Sequence, residues 1–107
     1  MVEYRLSDTF AALADPTRRA IVQKLAGGER TVSEIAEPFD MSLQAVSKHV
    51  RVLESAGLVG RHRDGRVHHI RLLGDPIRGA AQWIESYRSF WEGTLDRLDE
   101  FLAEEKR

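Results

Sequence analysis

The sequence of 107 residues contains no cysteine and only three prolines. Without cysteine, disulfide bonds, thiolate zinc sites, cysteine nucleophiles and thiol redox switching are excluded. No stretch approaches the roughly 18 consecutive apolar residues that a membrane helix needs, and the N-terminal segment "MVEYRLSDTF" lacks a basic-then-apolar signal pattern. We therefore expect a cytoplasmic protein that does not enter a membrane. Its length and its 42% hydrophobic content predict one globular domain, residues 1–107, with a single core.

An excess of charge of one sign is also missing overall, because the formal net charge is −1. The distribution is nevertheless uneven. Residues 42–71 hold six basic and two acidic side chains, whereas the segments on either side are acidic. A positive belt between acidic ends is compatible with anion binding, although a basic run is more often a solvated face.

Three helices are predicted in the first 38 residues. The first spans about residues 5–14, where apolar residues repeat at helical spacing. The second begins at Asp15, a good N-cap followed by proline, and ends near residues 27–28, which are both glycine. The third is short, because Thr31 and Glu34 form a capping box at its start and Pro38 prevents its extension.

A fourth, longer helix follows after a tight turn. Ser42 can cap its start and Gly57 can supply a left-handed stop. One face of this predicted helix is apolar and consists of Leu43, Val46, Val50 and Leu53. Short helix, turn and longer helix together predict a helix-turn-helix unit.

The last third of the chain predicts a hairpin and a long helix. In "LVGRHRDGRVHHIRL", two β-favouring arms flank Asp64–Gly65, a dipeptide preferred in two-residue turns, so we expect a two-stranded wing over about 59–73. Asp75 and Pro76 then repeat the cap-then-proline signal and start a helix over about 76–104. The predicted fold is mainly α with a small β-hairpin, a winged helix-turn-helix.

The polar face of the fourth helix fits the requirements of DNA reading. At about 100° per residue, Gln44, Lys48 and Arg51 lie opposite the apolar face, with Ala45 and Ser47 at the flanks. Glutamine can pair with adenine, serine can donate or accept, alanine can touch a thymine methyl, and lysine can reach guanine or phosphate. An ordinary solvated helix face is the alternative.

The neighbouring hairpin favours the DNA interpretation. Arg61, Arg63 and Arg66 surround its tip, where a β-ribbon can follow the DNA backbone or enter a minor groove. Solvation alone could also explain three arginines there, but the coincidence of both features within one short stretch favours DNA. A winged-helix module that uses this face for protein partners, without an operator, is the second hypothesis.

The motifs "LADPTRRAIVQKL", "TVSEIA", "MSLQAVSKHVRVLESAGLV" and "RDGRVHHIRL" resemble the ArsR-type winged-helix transcriptional regulators over about residues 8–73. The resemblance implies a homodimeric repressor that binds a palindromic operator and responds to an effector. It places base contacts on Gln44, Ala45, Ser47 and Lys48, with Ser42 near phosphate. His49 matches the family's serine-any-histidine position, where packing and phosphate contact are equally compatible with its place on the helix.

The sequence departs from the family's metal-sensing pattern. Many such regulators bind metals through cysteines on the third helix or through Asp, His and Glu on the terminal helix. This chain has residues 31–33, Thr-Val-Ser, where thiolates would stand, and no histidine after His69. His68 and His69 are adjacent on a strand and point to opposite faces, so with His62 they do not predict a zinc site. We expect no metal and no cofactor.

Catalysis is not expected either. The segment "LAGGERT" lacks the lysine and the preceding strand of a phosphate-binding loop. No spacing of Ser, His and Asp sets a nucleophile beside a base. The chain is therefore not predicted to be an enzyme.

The terminal helix is predicted to form the dimer. Its apolar residues exceed one narrow seam, so the helix must bury more than one side, and a partner copy would cover what the chain's own core does not. The predicted interface includes the first helix (Tyr4, Leu6, Phe10) and, from the terminal helix, Ile84, Tyr87, Trp91, Leu95, Leu98 and Leu102. A purely internal core is the alternative. A hydrophobic small molecule or a partner protein could act as effector there, against Trp83, Phe90 and Trp91, and no effector at all is the third alternative.

Overall fold

The computed structural model describes residues 2–106, with side chains from Arg5 onward. Tyr4, which was predicted in the dimer interface, therefore has a side chain outside the described residues. The elements in chain order are α1 (Val2–Leu13), α2 (Pro16–Leu25), β1 (Arg30–Thr31), α3 (Val32–Ala36), α4 (Leu43–Ser55), β2 (Val59–Asp64), β3 (Val67–Leu72), α5 (Asp75–Ser86) and α6 (Arg88–Glu105). Within residues 2–106, no helix combines the length and the apolar composition that crossing a bilayer requires.

Local capping signals position the helices of the helix-turn-helix unit. The backbone N–H of Arg18 donates to the Asp15 carboxylate at 3.0 Å, so Asp15 caps α2 as predicted. In the capping box of α3, the Glu34 N–H donates to Thr31 Oγ1 at 3.1 Å and the Thr31 N–H donates to Glu34 Oε1 at 2.9 Å. These bonds satisfy N–H groups that a helix start otherwise leaves unpaired, so they fix where α2 and α3 begin.

The boundaries of α4 also match the prediction. Ser42 Oγ accepts a hydrogen bond from the Ala45 N–H at 3.1 Å, and α4 begins at the next residue, Leu43. After α4 the backbone of Gly57 has a φ of 77°, the left-handed conformation that a glycine adopts without a Cβ clash. The chain then enters β2 directly.

The core is built around the inner face of α4. Val46, Val50 and Leu53 have no exposed surface and pack in one cluster with buried apolar residues of α2, α3, the α4–β2 connection and the sheet: Ile21, Leu25, Ile35, Leu58, Val59 and Ile70. Burying a side chain of this size contributes about 1.5–3 kcal/mol to stability. The three α4 residues therefore set the rotation of the helix about its own axis.

Leu43 differs from the prediction, which placed it on the apolar face. Its surface is 52% exposed. Phe39 and Met41, in the turn before α4, pack against the core at this end. Side chains of the turn thus cover this end of the core, and the Leu43 side chain is exposed.

The sheet has three strands and not two. The missed strand β1 pairs with β3, with Arg30 opposite Ile70, so the order is β1-β3-β2 and all pairs are antiparallel.

The wing turn is also shifted by one residue from the predicted Asp64–Gly65. Asp64 pairs with Val67, which leaves Gly65 and Arg66 as the two turn residues. Gly65 alone has a positive φ, 66°, which fits a type II′ turn with glycine in its first central position.

The start of α5 also differs from the prediction, which made Asp75 the N-cap. Gly74 is the N-cap and Asp75 is already helical. The Asp75 carboxylate forms an ion pair with Arg78 at 2.9 Å and makes no capping hydrogen bond.

The predicted single terminal helix is divided at Tyr87 into α5 and α6. Tyr87 has φ −106° and ψ 2°, outside the helical region, and its N–H donates to the Ile84 carbonyl. The hydroxyl of Ser86 donates to the Trp83 carbonyl at 2.8 Å, the group that the Tyr87 N–H would bind in a continuous α-helix. The side chain of Ser86 therefore replaces one backbone bond at the break.

The cap of α2 predicts a pH dependence of stability. The hydrogen bond from the Arg18 N–H, supported by the nearby charges of His49 and Arg18 and opposed by partial desolvation, holds the pKa of Asp15 below its ordinary value of 3.8. A carboxyl whose pKa is lower in the folded state stabilises the fold above its unfolded pKa, and this contribution is lost as the pH falls through the folded pKa. Asp15→Asn keeps the capping oxygen and removes the charge.

We therefore expect the wild type to be more stable than Asp15→Asn near neutral pH, and the difference to shrink as the pH falls below about 4. Urea unfolding of both proteins at several pH values measures the free energy of unfolding. A difference that stays constant down to about pH 2.5 would contradict a charge effect at this cap.

Candidate nucleic-acid interface

The outer face of α4 presents the polar residues that the sequence analysis assigned to DNA reading. Gln44, Lys48 and Arg51 are exposed, and Ala45 and Ser47 are half-buried at the edges of this face. Their direction follows from the burial of Val46, Val50 and Leu53 on the opposite side. We call these five residues the recognition face.

A groove separates the recognition face from the wing. It has a volume of about 630 Å³ and is lined by residues of α3 and its cap, of α4 and of the hairpin: Thr31, Val32, Ser33, Leu43, Ser47, Arg51, Arg61, Arg66, Val67 and His68. A second, smaller depression of about 370 Å³ lies along α4 and is lined by Leu43, Gln44, Ser47, Lys48 and Arg51. The predicted base-reading and wing residues therefore share one side of the molecule.

The exposed cations on this side are not paired with any carboxylate whose position the structure describes. Among the side chains that the structure describes, no carboxylate lies within 4.0 Å of the charged groups of Lys48, Arg51, Arg63 or Arg66. A charge without an internal partner can bind a phosphate without first breaking an ion pair. These four residues are thus placed and charged for contact with an anion.

Arg61 differs from the other wing arginines because it is already engaged. Its Nε and Nη2 donate to the two carboxylate oxygens of Glu54, each at 3.2 Å, and its Nη1 lies 3.1 Å from His68 Nδ1. The Arg61 side chain is 24% exposed. It joins the C-terminal part of α4 to the wing, a role that the spacing of arginines in the sequence did not reveal.

The contacts of His49 favour packing between helices. His49 Nδ1 lies 3.8 Å from the Asp15 carboxylate and 3.4 Å from Arg18 Nη1, and its side chain is 24% exposed. Arg18 in turn donates from Nε to the Ala12 carbonyl at 2.6 Å. His49 therefore belongs to a polar contact between α4 and the start of α2.

The remaining histidines lie on the sheet, where they contact each other or charged side chains. His62 and His69 are directly opposite on β2 and β3, with ring centroids 5.4 Å apart, so these two do share a face. His69 Nδ1 lies 3.4 Å from Glu29, and His68 contacts Arg61. Within the described part of the chain, no three His, Asp or Glu side chains are grouped so as to hold a metal ion.

A second, apolar surface lies on α1, α5 and α6. Phe10 contacts Trp83 edge-to-face at a centroid distance of 5.9 Å, and Trp83 contacts Tyr87 at 5.1 Å. Beyond the break none of the residues of α6 is buried. The exposed apolar residues here, which we call the terminal surface, are Phe10, Trp83, Ile84, Tyr87, Phe90, Trp91, Leu95, Leu98, Phe101 and Leu102.

The residues predicted for the dimer interface all lie on this terminal surface, apart from Leu6, which is half-buried, and Tyr4, whose side chain is outside the described set. In the sequence, Ile84, Trp91 and Leu98 follow one another at intervals of seven residues. The break at Tyr87 interrupts this repeat, so Ile84 lies on a different helix from the other two. On α6 itself, Trp91, Leu95, Leu98 and Leu102 are spaced by four, three and four residues. That spacing is typical of one seam between packed helices.

Comparison with known proteins shows which family has this arrangement. A family model described as a helix-turn-helix domain matches residues 13–61. The HTH-type transcriptional regulator Rv2034 of Mycobacterium tuberculosis is 50% identical over 108 aligned positions, which cover 98% of this chain and 96% of that protein. The transcriptional repressor SdpR of Bacillus subtilis is 32% identical over 82 positions, covering 77% of this chain and 91% of SdpR.

Solved structures agree with these relatives. The crystal structure of the ArsR family transcriptional regulator RHA00566 superposes with a TM-score of 0.78 at 40% identity and covers 84% of this chain and 93% of that one. A solution structure from Mycobacterium bovis, described as a homodimeric winged helix-turn-helix DNA-binding domain of a possible ArsR-family regulator, has a TM-score of 0.64 at 32% identity. It covers 78% of this chain and 80% of its own. The winged helix-turn-helix fold predicted from the sequence is confirmed, and the chain belongs to the ArsR family of DNA-binding transcriptional regulators, which are not enzymes.

Proposed function

We propose that the protein is a homodimeric repressor that inserts α4 into the major groove of a palindromic operator. The observation that supports this most directly is the recognition face. Gln44 and Lys48 are exposed there, Ser47 is half-buried, and the neighbouring cations have no carboxylate partner among the described side chains, while the core holds the face in a fixed direction. Because such a regulator works on DNA, we place it in the cytoplasm.

Base reading is assigned to the first two turns of α4. Gln44 can bind adenine through two hydrogen bonds, and Ser47 and Lys48 can donate to acceptors on base edges. Ala45 is small enough to permit close approach at the flank. Residues near the start of a recognition helix are the ones that usually touch bases.

Backbone contacts are assigned to residues around this face. Arg51 on α4 and Arg63 and Arg66 at the wing can reach phosphates on either side of the groove, while Ser42, exposed at the start of α4, retains a hydroxyl proton to donate. Arg61, which is paired with Glu54, is a weaker candidate for phosphate contact than Arg63 and Arg66. His49 supports the angle of α4 through Asp15 and Arg18 and is a weaker candidate for phosphate contact.

Dimer formation follows from the terminal surface. The side chains of Trp91, Leu95 and Leu98 are each at least 50% exposed in the single chain, and no residue of α6 is buried. Protein helices owe most of their stability to packing of an apolar face, and an exposed apolar area of this extent usually marks an interface. A second copy packed on α1, α5 and α6 covers it, as the homodimeric relative suggests.

A two-fold dimer gives each α4 a matching half-site. Two half-sites are read together when the helices are about 34 Å apart, one turn of B-DNA. An effector therefore acts by preferring one spacing, since a ligand shifts an equilibrium only through its difference in affinity for the two states. The aromatic residues Trp83, Phe90 and Trp91 suit a hydrophobic small molecule in this role.

Substitutions on the recognition face and on the wing should act differently on DNA binding. We expect Gln44→Ala to lose affinity mainly for the operator, by about 1–3 kcal/mol, because a base contact is lost. Arg63→Ala should weaken binding to operator and random DNA alike and should reduce the salt slope by about 0.9, one phosphate contact. Operators selected from random duplexes, followed by titrations at several salt concentrations, measure both effects.

The two variants are controls for each other, because each changes one exposed side chain of the same face of the molecule. Equal losses of Gln44→Ala on operator and on random DNA would refute its assigned role. A shallow salt dependence of the wild type would instead favour the interpretation of this face as a binding surface for protein.

The terminal surface predicts a change of assembly. Trp91→Ala should yield monomers that bind the operator poorly, because a large aromatic contact is removed from the centre of the interface. Sedimentation velocity measures the assembly and a binding titration measures the affinity. Val52→Ala is the control and should remain dimeric, because Val52 is an apolar residue that is 42% exposed on α4 and does not belong to the terminal surface. An intact Trp91→Ala dimer would remove Trp91 from the interface.

A further inference from the structure

Exposed apolar side chains are not confined to the terminal surface. Among the described residues, three large ones lie elsewhere: Leu43, Val52 and Val67, which are 52%, 42% and 47% exposed. Leu43 and Val67 line the groove between α4 and the wing, whereas Val52 lines a different depression on the other edge of α4. Leu43 and Val67 are therefore apolar groups within the proposed DNA-binding surface.

Leu43 has a distinct position among the groove residues. It is the first residue of α4, one helical turn before Ser47 and next to Gln44, and it lines both the wing groove and the depression along α4. The core does not need its side chain, because Phe39 and Met41 already pack against that end of the interior. Leu43 is thus held by the cap at Ser42 at the N-terminal end of α4, beside the recognition face.

We propose that Leu43 contacts the C5-methyl group of a thymine in each half-site and so determines part of the operator sequence. This inference depends on the proposed function. Thymine is the base that shows an apolar group in the major groove, and an aliphatic side chain that meets it removes apolar surface of both groups from water. Beside Gln44, which suits adenine, Leu43 makes a preference for an adenine–thymine step at the start of the half-site.

The test removes the methyl group and nothing else. Deoxyuridine pairs like thymidine but lacks the C5-methyl, so each thymine of the selected operator is replaced in turn by uracil. For the wild type we expect one symmetric pair of positions at which the replacement weakens binding by about three- to fivefold per half-site, the equivalent of one buried methyl group. Elsewhere the replacement should have little effect.

The protein variants assign the methyl contact to a side chain. Leu43→Ala should bind the thymine and uracil operators with equal affinity, close to that of the wild type on uracil, whereas Leu43→Met, which keeps an apolar side chain of similar volume, should retain the discrimination. Val52→Ala is the control and should discriminate as the wild type does. Because Leu43 is half exposed, thermal unfolding should show the Leu43 variants to be folded.

Two outcomes would overturn the proposal: a wild type that is indifferent to uracil at every position, and a Leu43→Ala protein with full discrimination. In the second case, loss of discrimination in Ala45→Gly would assign the methyl contact to Ala45. In each case selective operator binding with a steep salt dependence still supports the repressor function. Absence of any selected operator would instead remove the proposed function itself.

Discussion

Burial of Val46, Val50 and Leu53 determines which side of α4 faces outward, and the rest of the molecule depends on this rotation. All three have no exposed surface. Successive residues of an α-helix are about 100° apart, so a rotation by one position would move a polar group into the core, where an unpaired polar group costs several kcal/mol. The direction of Gln44 and Lys48 is therefore set by apolar packing on the opposite face of the helix.

Much of this arrangement could be predicted because its signals are local. Asp15, Thr31 with Glu34, and Ser42 each satisfy backbone N–H groups within three residues, so the sequence alone places the starts of three helices. The outward position of Gln44 follows from the periodicity of its apolar neighbours in the same way. Residue chemistry and helical spacing were enough for the fold and for most of the candidate site.

What could not be predicted depends on packing and pairing that helical or strand periodicity does not report. Leu43 fits the apolar periodicity of α4, yet it is 52% exposed, while Phe39 and Met41 of the preceding turn pack against the core. Arg61 was grouped with the other wing arginines, although Glu54 and His68 hold it. Strand β1 has only two residues, so it has no periodicity to detect and exists through its pairing with β3. Such features require the assembled structure.

The break at Tyr87 has a mechanical consequence. It separates α5, which packs against α1, from α6, none of whose residues is buried. Eighteen residues at 1.5 Å each make α6 about 27 Å long, so the angle at its pivot, Tyr87, determines where the far end of the helix lies. A change of about ten degrees at this pivot displaces the far tip by roughly 5 Å relative to the body. A small difference in the angle at Tyr87 therefore changes the position of the far end of α6 by a distance comparable with one base-pair step or more.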